Sequence, residues 1–221
     1  MSLFVQKATR FTWELAMSSR RGADRAALRK RASNGSATTK RAAVLSSEEL
    51  ASLMSYAKSE RERALIALMT AGAMRIGEAT LLCWEDISED GLVTVIGGTT
   101  KTRTSRSFTL PEKAQQLLLE WRAICPTSST GWIFPGVPKA NPMSVRQGQR
   151  LITAMAEAAG LHGVSSHSFR RSTLTAAHQS GLSLRSTAAI SGHQSLAALE
   201  KYLDADAAKA EAESARGILF A

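Results

Sequence analysis

The spacing of apolar and polar residues predicts helices over most of the chain. Behind Ser46 the apolar positions recur at helical spacing as far as Ala57, and Glu49 follows Ser46 at the spacing of a capping box. The runs ERERALIALMTAG and IGEATLLCW predict two further helices. After the loop CPTSSTGWIFPGVPKANP, the pattern is again helical as far as residue 215.

The period changes in one short region. GLVTVIGG and RSFTLP are alternating or β-branched runs on either side of the polar stretch TTKTRTS, which predicts a small antiparallel ribbon. Pro111 then opens another helix, where its missing N–H costs least. The predicted fold class is therefore mainly α with a small antiparallel β-sheet (α+β).

Composition narrows the class of protein. The 221 residues suffice to bury a core, and 21% of them are charged, as in a globular protein. The absence of a long apolar run argues against a membrane span, and the first residues do not resemble a secretory leader. Cys83 and Cys125 do not have the spacing of a zinc site or a disulfide framework. We expect a reducing cytoplasm.

The positive charge is concentrated in the first 43 residues. That segment has ten basic and two acidic residues, so it carries +8 of the chain's +9. Charge alone leaves a polyanion partner and a solvated tail equally open. The predicted organisation is a basic arm and linker (1–43), one compact domain (44–204) and a tail helix (205–221).

Several polar residues lie in otherwise apolar surroundings. Arg75 lies at the end of an apolar helix, and Glu78 lies three residues on, where its carboxylate could hold the guanidinium. Taken alone, this spacing favours a routine surface ion pair. Lys101 lies in the predicted hairpin turn, where lysines are usually only solvated.

The carboxyl-terminal third contains a second group of polar residues in such surroundings. His167 and Arg170 are three residues apart at the start of a predicted helix and would point the same way. His193 follows Gly192, which ends a short helix. Tyr202 is flanked by leucines and would by default be a half-buried core residue.

The order and spacing of these residues resemble the catalytic domain of the tyrosine recombinases, the phage integrase family. MRIGEATLLCWEDI is similar to the first arginine box of that family, and HSFRRSTLT to its His-x-x-Arg box. SGHQSLAALEKYL is similar to the final segment from histidine to tyrosine. The resemblance extends from about residue 46 to about residue 202.

The resemblance implies a role for each residue. Arg75, Arg170 and His193 would bind the oxygens of one DNA phosphate, and Tyr202 would attack it to form a 3′-phosphotyrosine. His167 would help to accept the phenolic proton, Lys101 would protonate the leaving 5′-oxygen, and Glu78 would support Arg75 or His167. Further DNA contacts are expected from three arginines, namely Arg103, Arg106 and Arg171. The resemblance implies no metal or other cofactor.

The chain also departs from the family pattern. Only about 43 residues precede the catalytic region, too few for the family's amino-terminal core-binding domain, so we expect a catalytic fragment, a short single-domain recombinase, or clamping by the basic arm. Ala73 stands where the family often has glycine, and Arg171 where many members have histidine.

The implied function is site-specific DNA recombination, with integration, excision and inversion left open. A type IB topoisomerase-like nicking-closing enzyme and an inactive DNA-binding relative are the alternatives. The implied partners are double-stranded DNA, a homotetramer on paired sites, and an accessory directionality factor. The apolar residues 218–220 suggest that the tail docks on a neighbouring protomer, with docking on its own domain as the alternative. We expect a bacterial or phage-encoded, nucleoid-associated cytoplasmic protein that binds no membrane.

Overall fold

A computed structural model describes residues 42–97, 105–126, 131–192, 195–200 and 203 of the chain. The strands β1 (Leu92–Val95) and β2 (Arg106–Thr109) form an antiparallel pair. A 3₁₀ turn spans Trp84–Asp86. The helices in these residues are, in chain order, α1 (Ser47–Ser55), α2 (Glu60–Ala71), α3 (Ile76–Ala79), α4 (Glu112–Ile124), α5 (Val145–Ala158), α6 (Ser166–Gln179), α7 (Leu184–Ser191) and α8 (Leu196–Glu200).

The predicted fold class is confirmed, and local sequence explains where several helices begin. The Ser46 hydroxyl accepts the Glu49 N–H, and the Glu49 carboxylate accepts the Ser46 N–H, so the predicted capping box is present. Ser144 caps α5 with Gln147 in the same way. Helix α4 begins one residue later than predicted, so Pro111 is at its N-cap position and not inside the helix.

The third predicted helix is much shorter than its sequence suggested. Of IGEATLLCW, only Ile76–Ala79 is α-helical. The Leu82 carbonyl accepts the Ile133 N–H at 3.0 Å, and the Trp84 N–H donates to Gly131 at 2.9 Å. The main chain of this stretch is therefore bonded to a distant loop, which replaces the helical hydrogen bonds that the apolar pattern alone predicts.

Helix α2 is the centre of the main core. It packs on α4 and α6, and its inward face is fully buried at Leu65, Leu68 and Met69. The sheet contributes Val93 and Val95 to the same hydrophobic cluster. No helix within the described ranges is long and apolar enough to cross a membrane.

A second, smaller hydrophobic cluster joins segments that are far apart in sequence. Ala73, from the loop after α2, packs in it with Leu174 of α6 and Ala188 of α7. Leu199 and Leu203 complete the cluster, and both are buried. The carboxyl-terminal part of the described chain is thereby held against the loop between α2 and α3.

Candidate active site

The loop between α2 and α3 forms the base of the candidate site. Ala73 has a φ of 44°, a left-handed conformation that an L-residue other than glycine seldom adopts. The reversal sets Arg75 at the N-cap of α3 with an extended backbone. Arg75 therefore precedes a short helix, whereas the sequence suggested that it ends a long one.

Glu78 holds Arg75 through both carboxylate oxygens. Its Oε1 accepts from Nη1 of Arg75 at 2.8 Å, and its Oε2 accepts the Arg75 main-chain N–H at 3.1 Å. Glu78 is only 2% exposed, whereas the Arg75 side chain retains 19% exposure. The pair is therefore not a routine surface ion pair, because the acidic partner is buried and only the Arg75 side chain is partly exposed.

Arg106, at the start of β2, binds the same carboxylate. Its Nη2 lies 2.9 Å from Oε2 of Glu78 and also donates to the Gly72 carbonyl at 3.4 Å. Only 8% of the Arg106 side chain is exposed. The guanidinium for which a DNA contact was expected is thus bound inside the protein by Glu78, and the DNA contact itself stays a prediction.

The two arginines keep Glu78 ionised. Burial by itself raises the pKa of this carboxyl group, but the charge and hydrogen bond of Arg106, together with Arg75, outweigh that effect. The pKa of Glu78 therefore lies below its usual value. One carboxylate and two guanidiniums leave the cluster with a net positive charge, which suits an anionic ligand.

Arg170, on the first turns of α6, is the largest fully buried side chain. Its Nη1 donates to the Ala73 carbonyl at 2.6 Å, and its Nη2 donates to the Ser191 carbonyl at 2.8 Å. Arg170 therefore joins the Arg75 loop to the last residue of α7. His167 is exposed on the same helix, so these two side chains differ in environment although both were expected to face one ligand.

Arg171 has a different place from the one expected. Its side chain is buried, and Nη1 donates to the Ala42 carbonyl. Nearby, the Leu45 N–H donates to the Ser172 hydroxyl at 2.7 Å. The Arg171 guanidinium therefore anchors the entry to α1 on α6, and its expected DNA contact stays a prediction.

Four residues of the expected site lie outside the described residues: Lys101, Arg103, His193 and Tyr202. Their described neighbours nevertheless have defined contacts. Residues 98–104 join β1 to β2, whose last pair before this segment is Val95 with Arg106. The segment that carries Lys101 is thus continuous with the residue that binds Glu78.

The described sequence neighbours of His193 and Tyr202 lie near the same loop or near the Arg106 side chain that binds it. Gly192 ends α7 in the left-handed conformation, and a methyl group added there would lie 3.4 Å from Cδ of Arg106. Leu199 and Leu203, on either side of Tyr202 in sequence, share a hydrophobic cluster with Ala73. Described residues close in sequence to His193 and Tyr202 therefore lie near the Arg106 side chain or share a cluster with Ala73.

Sequence reasoning missed the part played by the main chain of this loop. The carbonyls of Gly72 and Ala73 accept from Arg106 and Arg170, respectively. The one signal was Ala73 itself, at a position where the resemblance implied glycine, as expected for a residue of positive φ. Within the described part of the chain, no group of His, Cys, Asp and Glu residues could hold a metal ion.

Comparison with known families and sequences agrees with the arrangement. The phage integrase family model matches residues 43–209. The tyrosine recombinase XerC of Methylobacterium sp. (strain 4-46) is 32% identical over 154 residues, which cover 67% of this chain and 47% of the relative. XerC of Nitrobacter winogradskyi is 30% identical over 149 residues, or 66% of this chain and 46% of that protein. The chain thus spans about half the length of these curated relatives.

Solved structures show the same fold. The XerA recombinase superposes with a TM-score of 0.70 at 20% identity, over 81% of this chain and 67% of that one. The XerH recombinase bound to its difH substrate superposes with a TM-score of 0.61 at 23% identity, over 76% and 52% of the two chains. The arrangement of α2, the β-hairpin and the carboxyl-terminal helices is that of the integrase catalytic fold.

Proposed function

Because the chain belongs to the phage integrase family, we propose that it is a site-specific recombinase that cleaves and rejoins DNA through a 3′-phosphotyrosine. The main support is the convergence of distant segments on the loop 72–78. Arg75 lies in that loop, Arg170 binds its main chain, and the leucines that flank Tyr202 in sequence share a hydrophobic cluster with Ala73. A chance likeness of short motifs does not account for these contacts.

In the proposed reaction, Arg75 binds a non-bridging phosphate oxygen. A guanidinium suits this task because it is planar, always charged and able to donate two parallel hydrogen bonds. Arg170 adds a second guanidinium when a phosphate oxygen replaces the Ser191 carbonyl as its acceptor. His193 donates a further hydrogen bond. Charge that develops on the phosphate would thus be met by hydrogen-bond donors that the protein supplies.

The covalent step conserves every atom and proton. The phenolic oxygen of Tyr202 attacks phosphorus, its proton passes to His167, and the bond from phosphorus to the 5′-oxygen breaks. Lys101 supplies a proton to that oxygen, which leaves as a hydroxyl. A 5′-hydroxyl of a second strand then attacks the tyrosyl ester and restores a phosphodiester. Arg103 is proposed as an additional DNA contact beside Lys101.

The proposed substrate is double-stranded DNA. XerH with difH and a λ integrase dimer with a core site are both solved as DNA complexes. Here, the basic residues of the segment 1–43 would add contacts to the phosphate backbone. We treat that segment as an arm and linker, residues 44–204 as the catalytic domain and residues 205–221 as a tail.

Recombination between two sites requires four active sites, so the proposal includes a homotetramer on paired DNA sites. Docking of the tail segment 205–221 on the next protomer would close a ring of such subunits. An accessory protein that sets the direction of recombination is part of the same proposal. The expected cellular place is the nucleoid region of a bacterial cytoplasm.

Covalent capture on nicked DNA tests the proposal. The full chain is incubated with a pool of duplexes that have randomised cores and nicks at varied positions, so that the fragment released on cleavage is lost and the adduct accumulates. Denaturing gels reveal the adduct, and sequencing of its DNA identifies the site. Tyr202→Phe should form none.

The products distinguish the alternatives. Recombinant molecules from two intact copies of the captured site support a recombinase, whereas resealing without exchange of partners indicates a topoisomerase-like enzyme. Specific binding without any adduct in the wild-type chain indicates an inactive DNA-binding relative and contradicts the proposal.

A further inference from the structure

Arg106 has no part in the reaction outlined above, although its guanidinium is buried in the centre of the site. The side chain lies across three elements. Its Nη2 bonds to Glu78 and to the Gly72 carbonyl, and its Cδ would lie 3.4 Å from a methyl group added at Gly192. Buried guanidiniums are costly to desolvate, so a specific arrangement of partners must offset that cost.

The contacts divide the Glu78 carboxylate between two guanidiniums, while Oε2 also accepts the Arg75 main-chain N–H at 3.1 Å. Arg106 binds Oε2 at 2.9 Å, and the Arg75 guanidinium binds Oε1 at 2.8 Å. The Arg75 guanidinium therefore makes a one-sided contact, and part of its side chain stays exposed. An isolated carboxylate would favour a bidentate fork with Arg75, in which two N–H groups face Glu78.

We propose that Arg106 is a positioning residue for Arg75, because it occupies one oxygen of Glu78 and so keeps Arg75 N–H groups available to the DNA phosphate. This inference rests on the proposed recombinase function. Arg106 acts on Arg75 through Glu78 and does not itself contact DNA.

The remaining contacts explain why an arginine serves here. Its planar end reaches the carboxylate and the Gly72 carbonyl from one nitrogen, while its methylene stem passes Gly192. Lysine would restore the charge, but on a compact, strongly hydrated ammonium in place of a planar guanidinium. The strand itself has a second anchor, because the Phe108 ring lies so close to Gly72 that an added methyl group would be 2.2 Å from it. Loss of the Arg106 guanidinium should therefore leave β2 in place.

A double-mutant cycle with Glu78 separates this role from a merely structural one. The variants are Arg106→Met, Arg106→Lys, Glu78→Gln and the pair Arg106→Met with Glu78→Gln. Arg63→Met is the matched control, since Arg63 also binds a glutamate three residues away, Glu60, at 2.7 Å but outside the site. For each full-length variant, the single-turnover rate of adduct formation is measured at saturating protein on the captured nicked duplex, and DNA affinity and thermal unfolding are measured separately.

Arg106→Met should slow adduct formation about 100-fold with little change in DNA affinity, because Glu78 is then free to turn Arg75 away from the phosphate. Arg106→Lys should recover about tenfold of that loss. Glu78→Gln should be slower than wild type, and adding Arg106→Met to it should cause no further loss. Arg63→Met should react at the wild-type rate.

The inference is overturned if Arg106→Met reacts like wild type, or if its loss multiplies with that of Glu78→Gln. If Arg106→Met unfolds, the same cycle with Arg106→Lys decides between these outcomes. Absence of adduct from the wild-type chain would instead refute the recombinase function, and the inference with it. If the wild-type chain forms the adduct normally but the rate losses of Arg106→Met and Glu78→Gln multiply in the double variant, only the positioning role is refuted.

Discussion

Arg75 shows how one residue can be fixed by the protein and still face a ligand. Glu78 binds its guanidinium from the buried side, while part of the side chain reaches solvent. The sequence predicted the pair from its spacing of three residues. It could not predict that Glu78 is buried and shared with Arg106, since Arg106 is 28 positions away in the chain.

Replacement of Arg75 by lysine should slow adduct formation by about 100- to 1000-fold, the usual effect of losing a preorganised donor to a transition-state oxyanion. Lysine keeps the charge but cannot bind Glu78 and a phosphate oxygen through one planar fork. The measurement is the single-turnover rate on the captured duplex, with Arg63→Lys as the control. A rate within threefold of wild type would show that Arg75 does not bind the reacting phosphate.

Glu78 should make stability depend on pH in the acid range. Its folded-state pKa is lowered, so its ion pairs stabilise the protein fully above the pKa of the unfolded chain, about 4.3, and this stabilisation is lost as the pH falls through the folded-state value. Glu78→Gln should lower the free energy of unfolding by about 3 kcal/mol at neutral pH.

Urea unfolding of both proteins between pH 7 and pH 3 tests this expectation. The difference between wild type and Glu78→Gln should stay constant down to about pH 4.3 and shrink below it, because the protonated glutamate resembles the amide. A difference that is unchanged at pH 3, or that grows in acid, contradicts the assigned ionisation.

At the scale of elements, periodicity and capping predicted α1, α2, the hairpin and α7 well, because these depend on neighbouring residues. The prediction failed after Ala79, where main-chain bonds to residues 131 and 133 replace a helix. Such bonds join positions about 50 residues apart and leave no periodic signal. The apolar pattern could report only that this stretch is buried.

The loop after α2 should tolerate glycine at position 73 but not a β-branched residue. Ala73→Gly removes a buried methyl group and also the cost of a left-handed alanine, so stability should change by less than about 1 kcal/mol. Ala73→Val should destabilise by at least about 2 kcal/mol, because its side chain is strained at this φ and overfills the cluster. Chemical unfolding measures both changes. Equal effects of the two substitutions would contradict the backbone conformation.

At the scale of the whole molecule, the site depends on contacts between the loop after α2 and the carboxyl-terminal helices. Arg170 joins α6 to the Arg75 loop, and Leu199 and Leu203 share a hydrophobic cluster with Ala73. The sequence supplied the residue types through a family resemblance. Their proximity could not be derived from spacing, because it depends on tertiary packing across more than 90 positions.

The tail belongs to the same scale. If residues 218–220 dock on a neighbouring protomer, removal of residues 217–221 should abolish tetramers on paired DNA sites and leave adduct formation on a single nicked duplex unchanged. Light scattering of the protein with the captured site measures the assembly. Tetramers that form as in the full chain would exclude docking in trans.

The most direct test of the whole account is the identity of the residue that becomes linked to DNA. The chain has only two tyrosines, Tyr56 and Tyr202. After nuclease and trypsin treatment of the adduct, mass spectrometry should find a nucleotide on the peptide that contains Tyr202, in the sequence YLDADAAK, and none on the peptide that contains Tyr56. A nucleotide on Tyr56, or on any residue other than Tyr202, would contradict the account.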